Sequence, residues 1–313
     1  MSPLRSALCK VFALAATTVA CAGADEVKIY QHGPIRVLYN TSGPDAVDAE
    51  DRNQNGLPDQ VEDAVTQIEA ARLLYCRILG FPDPFQAKRY EGVVFLDVRF
   101  RLKETLQGNG KAYDEVQKSS APGDPAGTRV LRVGVATSVR PSSNPTPLHE
   151  FFHVIQNGAT YFKNRWYTEG TARWSQRPFG PDGADGAHKL ESWPLTGEQS
   201  AALGAMAYDA TRFFWKPLAS QFDPEGVIPT SELTNQLAAM TYVNGEKVWK
   251  TDRLPGWKLI RAVLHQLDIA DEVAFRELNY QTWSEENQRS PQNDRYILGA
   301  IEKAVTEIGE GAH

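Results

Sequence analysis

The chain has 313 residues, of which 42% are hydrophobic, and it carries a net charge of −6. This length and apolar content are sufficient for a sizeable core in one large domain or two. No basic run with interleaved aromatic residues occurs, which argues against a nucleic acid as a partner.

Residues 1–24 are typical of an export signal. Arg5 and Lys10 form a positive region, an apolar stretch follows, and small residues mark a cleavage site. The apolar stretch is too short to span a bilayer, so we expect no integral membrane segment after cleavage. Lipid anchoring through Cys21 is the less favoured alternative. We therefore expect residues 25–313 to form a secreted or periplasmic monomer with a net charge of −8.

The first strand-like stretch, residues 35–43, is followed by "DRNQNGLPDQVE". A calcium loop of the EF-hand type requires oxygen donors at its positions 1, 3, 5, 7, 9 and 12 and a glycine at position 6. Gly56 occupies the glycine position. The candidate donors are Asp51, Asn53, Asn55, the carbonyl of Leu57, Asp59 and Glu62. A polar turn that caps the next helix is the alternative. We favour structural calcium, because a turn alone does not require a glutamate at position 12.

The pattern of apolar residues predicts a helix over residues 61–78 that ends at Gly80. Short apolar runs predict strands at 92–100 and 129–137. Segments rich in Pro, Gly and Ser predict loops at 118–128 and 140–147, and the chain beyond residue 199 is mostly helical. We expect one α+β domain, with a small sheet and helices in residues 25–140 and a mainly helical part in residues 141–313.

The stretch "LHEFFHVIQNGATYFKNRWYTEGTARW" carries the HExxH spacing. His149 and His153 share one face of a helix and can bind one metal ion. Glu150, on the same turn, is the expected general base toward a metal-bound water. Zinc needs a third protein ligand if it is to keep one position open, and Glu169 is our candidate, in the first turn of a second predicted helix. Rival donors in the following loop are Asp182, Asp185 and His188. A core helix with two hydrogen-bonded histidines is the alternative.

Three segments, "DRNQNGLPDQVEDAV", "LHEFFHVIQNG" and "RWYTEGTARW", resemble in this order the bacterial secreted zinc metalloprotease family of gluzincin type. "AMAYDATRFFWKPLASQF" and "EVAFRELNYQTW" resemble the C-terminal helices of that family, so the resemblance covers most of the mature chain. It implies a zincin-like metallopeptidase fold, with zinc held by His149, His153 and Glu169 and with Glu150 as the base.

Several positions depart from better-known zinc peptidases. Gln156 and Ala159 stand where metzincins place a glycine and a third histidine. Arg173 stands where thermolysin-like enzymes place an aspartate that orients a histidine, so the partners of the ligands must come from elsewhere. Tyr208 is our candidate donor to the oxyanion, because a downstream tyrosine or histidine fills that role in related gluzincins. Core packing of Tyr208 is the alternative.

These observations predict an exported zinc endopeptidase that acts on a peptide or protein substrate. One alternative is a zinc hydrolase that acts on the cell wall or on a non-peptide bond. Another is a non-catalytic metal-binding or adhesion protein, against which the intact Glu150 argues, since a binding module has no use for a general base.

Overall fold

The computed structural model describes residues 27–180 and 188–310. The predicted export signal at residues 1–24, with Cys21, lies outside the described residues. Asp182 and Asp185, two of the rival metal ligands, lie outside them as well.

The strands of the described chain form one mixed sheet with the spatial order β1-β2-β3-β5-β4. The strands are β1 (Lys28–His32), β2 (Ile35–Tyr39), β3 (Val93–Arg101), β4 (Gly110–Lys118) and β5 (Arg129–Ala136). The inner strands β2, β3 and β5 are parallel, whereas β1 and β4 pair antiparallel at the two edges. The three inner strands confirm the sequence prediction. The two edge strands were missed, because their residues are mostly exposed or half-buried and lack a clear apolar pattern.

Helices α1, α2 and α3 pack against this sheet, and helices make up most of the C-terminal half of the described chain. The first is α1 (Asp59–Arg72), which continues into a π-helical turn over Leu73–Ile78. The predicted helix end is confirmed, since Gly80 adopts a φ of +71°. The others are α2 (Lys103–Leu106), α3 (Thr146–Ala159), α4 (Arg165–Trp174), α5 (Gly197–Gly204), α6 (Lys216–Phe222), α7 (Glu232–Ala239), α8 (Trp257–Glu277), α9 (Glu285–Gln288) and α10 (Asp294–Glu310). The predicted α+β class is confirmed.

The core lies between the sheet and the paired helices α1 and α3, and it continues into the C-terminal helices. Helix α1 packs against β2, α3 packs against β4 and β5, and the two helices contact each other. A buried amide joins them, since Gln67 Oε1 accepts a hydrogen bond from the Leu148 N–H at 3.1 Å and its Nε2 donates to the Pro141 carbonyl at 2.6 Å. Because these are bonds to buried backbone groups, they fix where α3 begins.

None of the helices in residues 27–180 and 188–310 combines the length and the apolar character that crossing a bilayer requires.

Asp271, a buried residue of α8, binds the chain just after the end of α3. Asp271 Oδ2 accepts hydrogen bonds from Thr160 Oγ1 and from the Tyr161 N–H, both at 2.8 Å. Burial raises the pKa of Asp271 to about 6, although these two donors act in the opposite direction. Because the pKa of Asp271 is higher in the folded than in the unfolded protein, folding favours the protonated form. The stability that this form contributes is lost as the pH rises through about 6.

We expect Asp271→Asn to stabilise the protein above pH 6, by about 2 kcal/mol, because the amide oxygen keeps both donors and no buried charge remains. The difference in melting temperature between the variant and the wild type should grow from pH 4 to pH 7 and then level off. Asp252→Asn, at an exposed position outside α8, is the control and should show no such dependence. A difference in melting temperature between Asp271→Asn and the wild type that does not change with pH would contradict the raised pKa of Asp271.

Candidate metal centre

Helix α3 presents one polar stripe on an otherwise apolar surface. Leu148, Phe151 and Phe152 are fully buried in the core, whereas His149 and His153 point together toward an open cleft. The two ring centroids lie 4.7 Å apart, and the two Nε2 atoms lie 3.1 Å apart. This arrangement follows from the four-residue spacing, which places both side chains on one helical face.

Helix α4 brings Glu169 to the same point. Its Oε2 lies 3.5 Å from His149 Nε2 and 3.5 Å from His153 Nε2. Helix α4 begins at Arg165, so Glu169 lies in its second turn. The expectation that it lies in the first turn was wrong, because the helix starts upstream of the "TEG" segment.

The geometry of these three side chains fits a single metal ion. Their ligand atoms all lie within 4.8 Å of one another. A tetrahedral zinc ion with bonds of about 2.0–2.1 Å holds its ligand atoms about 3.3 Å apart, close to the distances here. Glu169 Oε2 is also buried and has no hydrogen-bond partner among the described residues. Burial alone raises the pKa of Glu169, but the two histidines lower it below its usual range.

The side chain of Gln156 sets the tautomer of His153. Its Nε2 donates to the Thr168 carbonyl at 2.9 Å and to Thr171 Oγ1 at 2.6 Å, which fixes the orientation of the amide. Its Oε1 therefore faces His153 Nδ1, at 2.7 Å, and accepts the proton of that nitrogen. The lone pair then lies on Nε2, the atom directed at Glu169, as metal binding requires.

Gln176 has the corresponding position beside His149. Its amide Nε2 lies 2.7 Å from His149 Nδ1. A half turn of this amide exchanges its nitrogen and oxygen, so that Nδ1–H donates to Oε1 and Nε2 keeps its lone pair. A metal ion bound to Nε2 would select that orientation. Neither glutamine was predicted from the sequence as a partner of a histidine, because a glutamine carries no local sequence signal for that role.

Glu150 is held between α3 and the edge strand β4. Burial raises the pKa of the Glu150 carboxyl, and the neighbouring His149 and His153 partly offset this rise. The carboxylate also accepts a hydrogen bond from the Ala112 backbone. Gly110 leaves the necessary room, because a Cβ built on it would lie only 2.6 Å from Glu150 Cγ. Strand β4, which the sequence pattern did not predict, therefore shapes the pocket around the predicted base.

Tyr208 lies in the turn before the segment Thr211–Trp215, at the mouth of the same cleft. Its ring centroid is 6.1 Å from that of His149. The residue is 44% exposed, so the core-packing alternative is wrong. Burial, followed by the charge of Glu169, raises its pKa to about 12, which keeps the phenol protonated and able to donate.

His188, the described rival ligand, is exposed and contacts Phe213, with the ring centroids 4.4 Å apart and the rings tilted by 46°. It does not belong to the cluster of potential ligands formed by the other two histidines and Glu169.

The predicted calcium loop is a separate, tightly turned segment. Gly56 adopts a φ of +85°, and its N–H donates to Asp51 Oδ2 at 2.9 Å. Glu62 accepts from the side chains of Asn53 and Asn55 at 3.1 and 2.7 Å, so these three groups converge.

Two features of the loop argue against the alternative that it is only a polar turn capping α1. The N-cap of α1 is Pro58, which makes no side-chain capping hydrogen bond. Asp59 turns back instead, and its Oδ1 accepts from the Arg52 N–H at 2.9 Å. The loop therefore does not cap α1 through a side chain of its N-cap residue.

The chain matches no protein-family model, no curated protein and no solved structure.

We expect Glu169→Ala to lower zinc affinity by at least about 100-fold, because two imidazoles alone leave the ion without its anionic ligand. Zinc titration of the purified mature protein measures this directly. Glu232→Ala removes an exposed carboxylate at the start of α7 and should leave affinity unchanged. Full zinc occupancy in Glu169→Ala would transfer the third-ligand role to His188, Asp182 or Asp185.

Proposed function

We propose that this protein is an exported zinc-dependent endopeptidase with a gluzincin-type site and a zincin-like fold. The main support is the convergence of His149 Nε2, His153 Nε2 and Glu169 Oε2 beside the buried Glu150. These groups line a cleft of about 430 Å³, which is large enough for several residues of a peptide. The leader-like segment at residues 1–24 supports export.

In this proposal the protein's own residues move the protons. His149, His153 and Glu169 would hold the zinc ion, which would supply a Lewis acid for acidifying water and polarising a carbonyl group. Glu150 accepts a proton from the attacking water and later transfers it to the leaving amine. Tyr208, with its phenol protonated, donates a hydrogen bond to the developing oxyanion.

The edge strand β4 supports a peptide as the substrate. The sheet order ends at β4, so its outer edge has no strand partner among residues 27–180 and 188–310. Residues 110–114 of this strand line the cleft next to Glu150. An extended peptide can add to such an edge through backbone hydrogen bonds, which places a scissile carbonyl group near the metal ligands.

We expect Glu150→Gln to retain zinc and melting temperature but to lose hydrolysis by at least about 100-fold, because it removes a base and not a ligand. Cleavage of a random peptide library by the zinc-loaded protein provides the measurement, with isolated cell wall as a second substrate. Glu302→Gln, at an exposed position on α10, is the control and should keep full activity. Unchanged turnover in Glu150→Gln would refute the mechanism. Turnover of cell wall alone would support the alternative zinc hydrolase.

We also propose that the loop from Asp51 to Glu62 binds calcium as a structural ion. The full set is Asp51, Asn53, Asn55, the Leu57 carbonyl, Asp59 and Glu62. These oxygen donors suit calcium, whereas the imidazole-containing site suits zinc. The support is the convergence of Glu62 with Asn53 and Asn55 around a glycine turn. The loop leads directly into α1, and α1 contacts α3. A bound ion would therefore stabilise α1 and, through it, the helix that carries His149 and His153.

We expect calcium at 100 times its dissociation constant to stabilise the wild type by about 2.7 kcal/mol, and Glu62→Ala to lose this effect. Melting curves recorded across a calcium titration test it, with zinc held constant. Glu104→Ala, an exposed residue of α2, is the control and should respond as the wild type does. Identical, calcium-independent melting of the wild type and Glu62→Ala would reduce the loop to a polar turn.

A further inference from the structure

The cleft beside the proposed zinc site contains an excess of basic side chains. Outside the ligand set and Glu150, its charged lining comprises the acids Asp114 and Glu285 and the bases Lys111, Lys163, Arg165 and Arg289. The whole chain has a net charge of −6, so this positive charge is a local feature. A concentrated charge of one sign in a cleft attracts ligands of the opposite sign.

The two acids of this lining are already paired. Lys163 Nζ lies 2.8 Å from Asp114 and 2.6 Å from Glu285, and Arg289 Nε lies 2.5 Å from Glu285. Arg165, by contrast, is exposed and forms no salt bridge with any residue of the described ranges. Its guanidinium therefore remains available to a ligand in the cleft.

Three of these bases also line an adjoining hollow of about 250 Å³, which is the size of a subsite for one side chain. We call Lys163, Arg165 and Arg289 the basic subsite. The hollow is otherwise lined mainly by small residues, and its acid is Asp294. Asp294 Oδ1 already accepts hydrogen bonds from Asn164 and Trp166, both at 2.7 Å. Lys163 and Arg289 are already paired with acids at the rim of the hollow, so Arg165 is its cation without a salt bridge among the described residues.

We propose that the basic subsite binds a carboxylate of the substrate and determines its specificity. A guanidinium pairs with a carboxylate through two parallel hydrogen bonds, which fixes direction as well as position. The carboxylate belongs either to an acidic side chain or to a free C-terminus. This inference rests on the proposed peptidase function for the nature of the ligand. Binding there orients the peptide along the cleft that also contains Glu150.

The test measures binding separately from turnover. Zinc-loaded Glu150→Gln protein is immobilised and presented with four pools of random hexapeptides. Every peptide carries either one glutamate or one glutamine, and either a free or an amidated C-terminus. We expect about tenfold tighter retention of one acidic class, as one charge-assisted contact provides, and a weaker preference at high salt. The retained class identifies the source of the carboxylate.

Second variants in the same background assign the effect to Arg165. Arg165→Gln should abolish the preference, and Arg165→Lys should restore much of it. Arg253→Gln changes an exposed arginine that does not line the cleft and should keep the preference. Equal retention of all four pools, no retention of any pool, or an undiminished preference in Arg165→Gln would each overturn the inference.

Wild-type turnover of the same pools separates this inference from the proposed function. Cleavage without acidic preference in either assay would leave the peptidase standing and remove the basic subsite. Arg165-dependent binding of acidic peptides without any cleavage would retain the subsite as a ligand site and remove the peptidase.

Discussion

The candidate site depends on the hydrogen bonds of one buried amide, that of Gln156. Its nitrogen bonds to the Thr168 carbonyl and the Thr171 hydroxyl on α4, and its oxygen bonds to His153 on α3. The same side chain therefore docks the helix that supplies Glu169 and orients the imidazole that faces it. Since buried polar groups are costly when left without partners, the two helices have little freedom to slide past each other.

The rest of the molecule supports α3 from both ends and from behind. Gln67 fixes its first turn, and Asp271 holds the chain that leaves it through Thr160 and Tyr161. Behind it, its apolar face packs against the sheet and α1. The result is a rigid helix with one polar face directed at a cleft, which is the condition for keeping ligand atoms within a few tenths of an ångström.

Charge in the cleft is arranged in two zones. Near the histidines, the lining is acidic: Glu169 carries a negative charge suited to a metal ion, and Glu150 is the candidate proton acceptor. Farther along, Lys163 bridges the two acids of the lining, and Arg165 remains without a salt bridge among the described residues. This separation is consistent with a site where the chemistry and the recognition of a substrate use different parts of one cleft.

The sequence by itself determined the features that depend on local spacing. The shared face of the two histidines follows from the helical repeat. The turn of the Asp51–Glu62 loop follows from the positive φ that glycine permits, and the inner strands follow from short apolar runs. The convergence of Glu169 with the histidines was a prediction from motif order, and the structure brings these three side chains together.

Only the tertiary structure decided the remaining features. The edge strand β4, the two glutamines beside the histidines, the position of Tyr208 at the cleft and the cluster around Arg165 join residues distant in sequence. No local pattern encodes such pairs, because an exposed edge strand lacks apolar alternation and a glutamine looks the same whether it is buried or exposed. Their roles arise from packing, which determines the neighbours of each side chain and the water it loses.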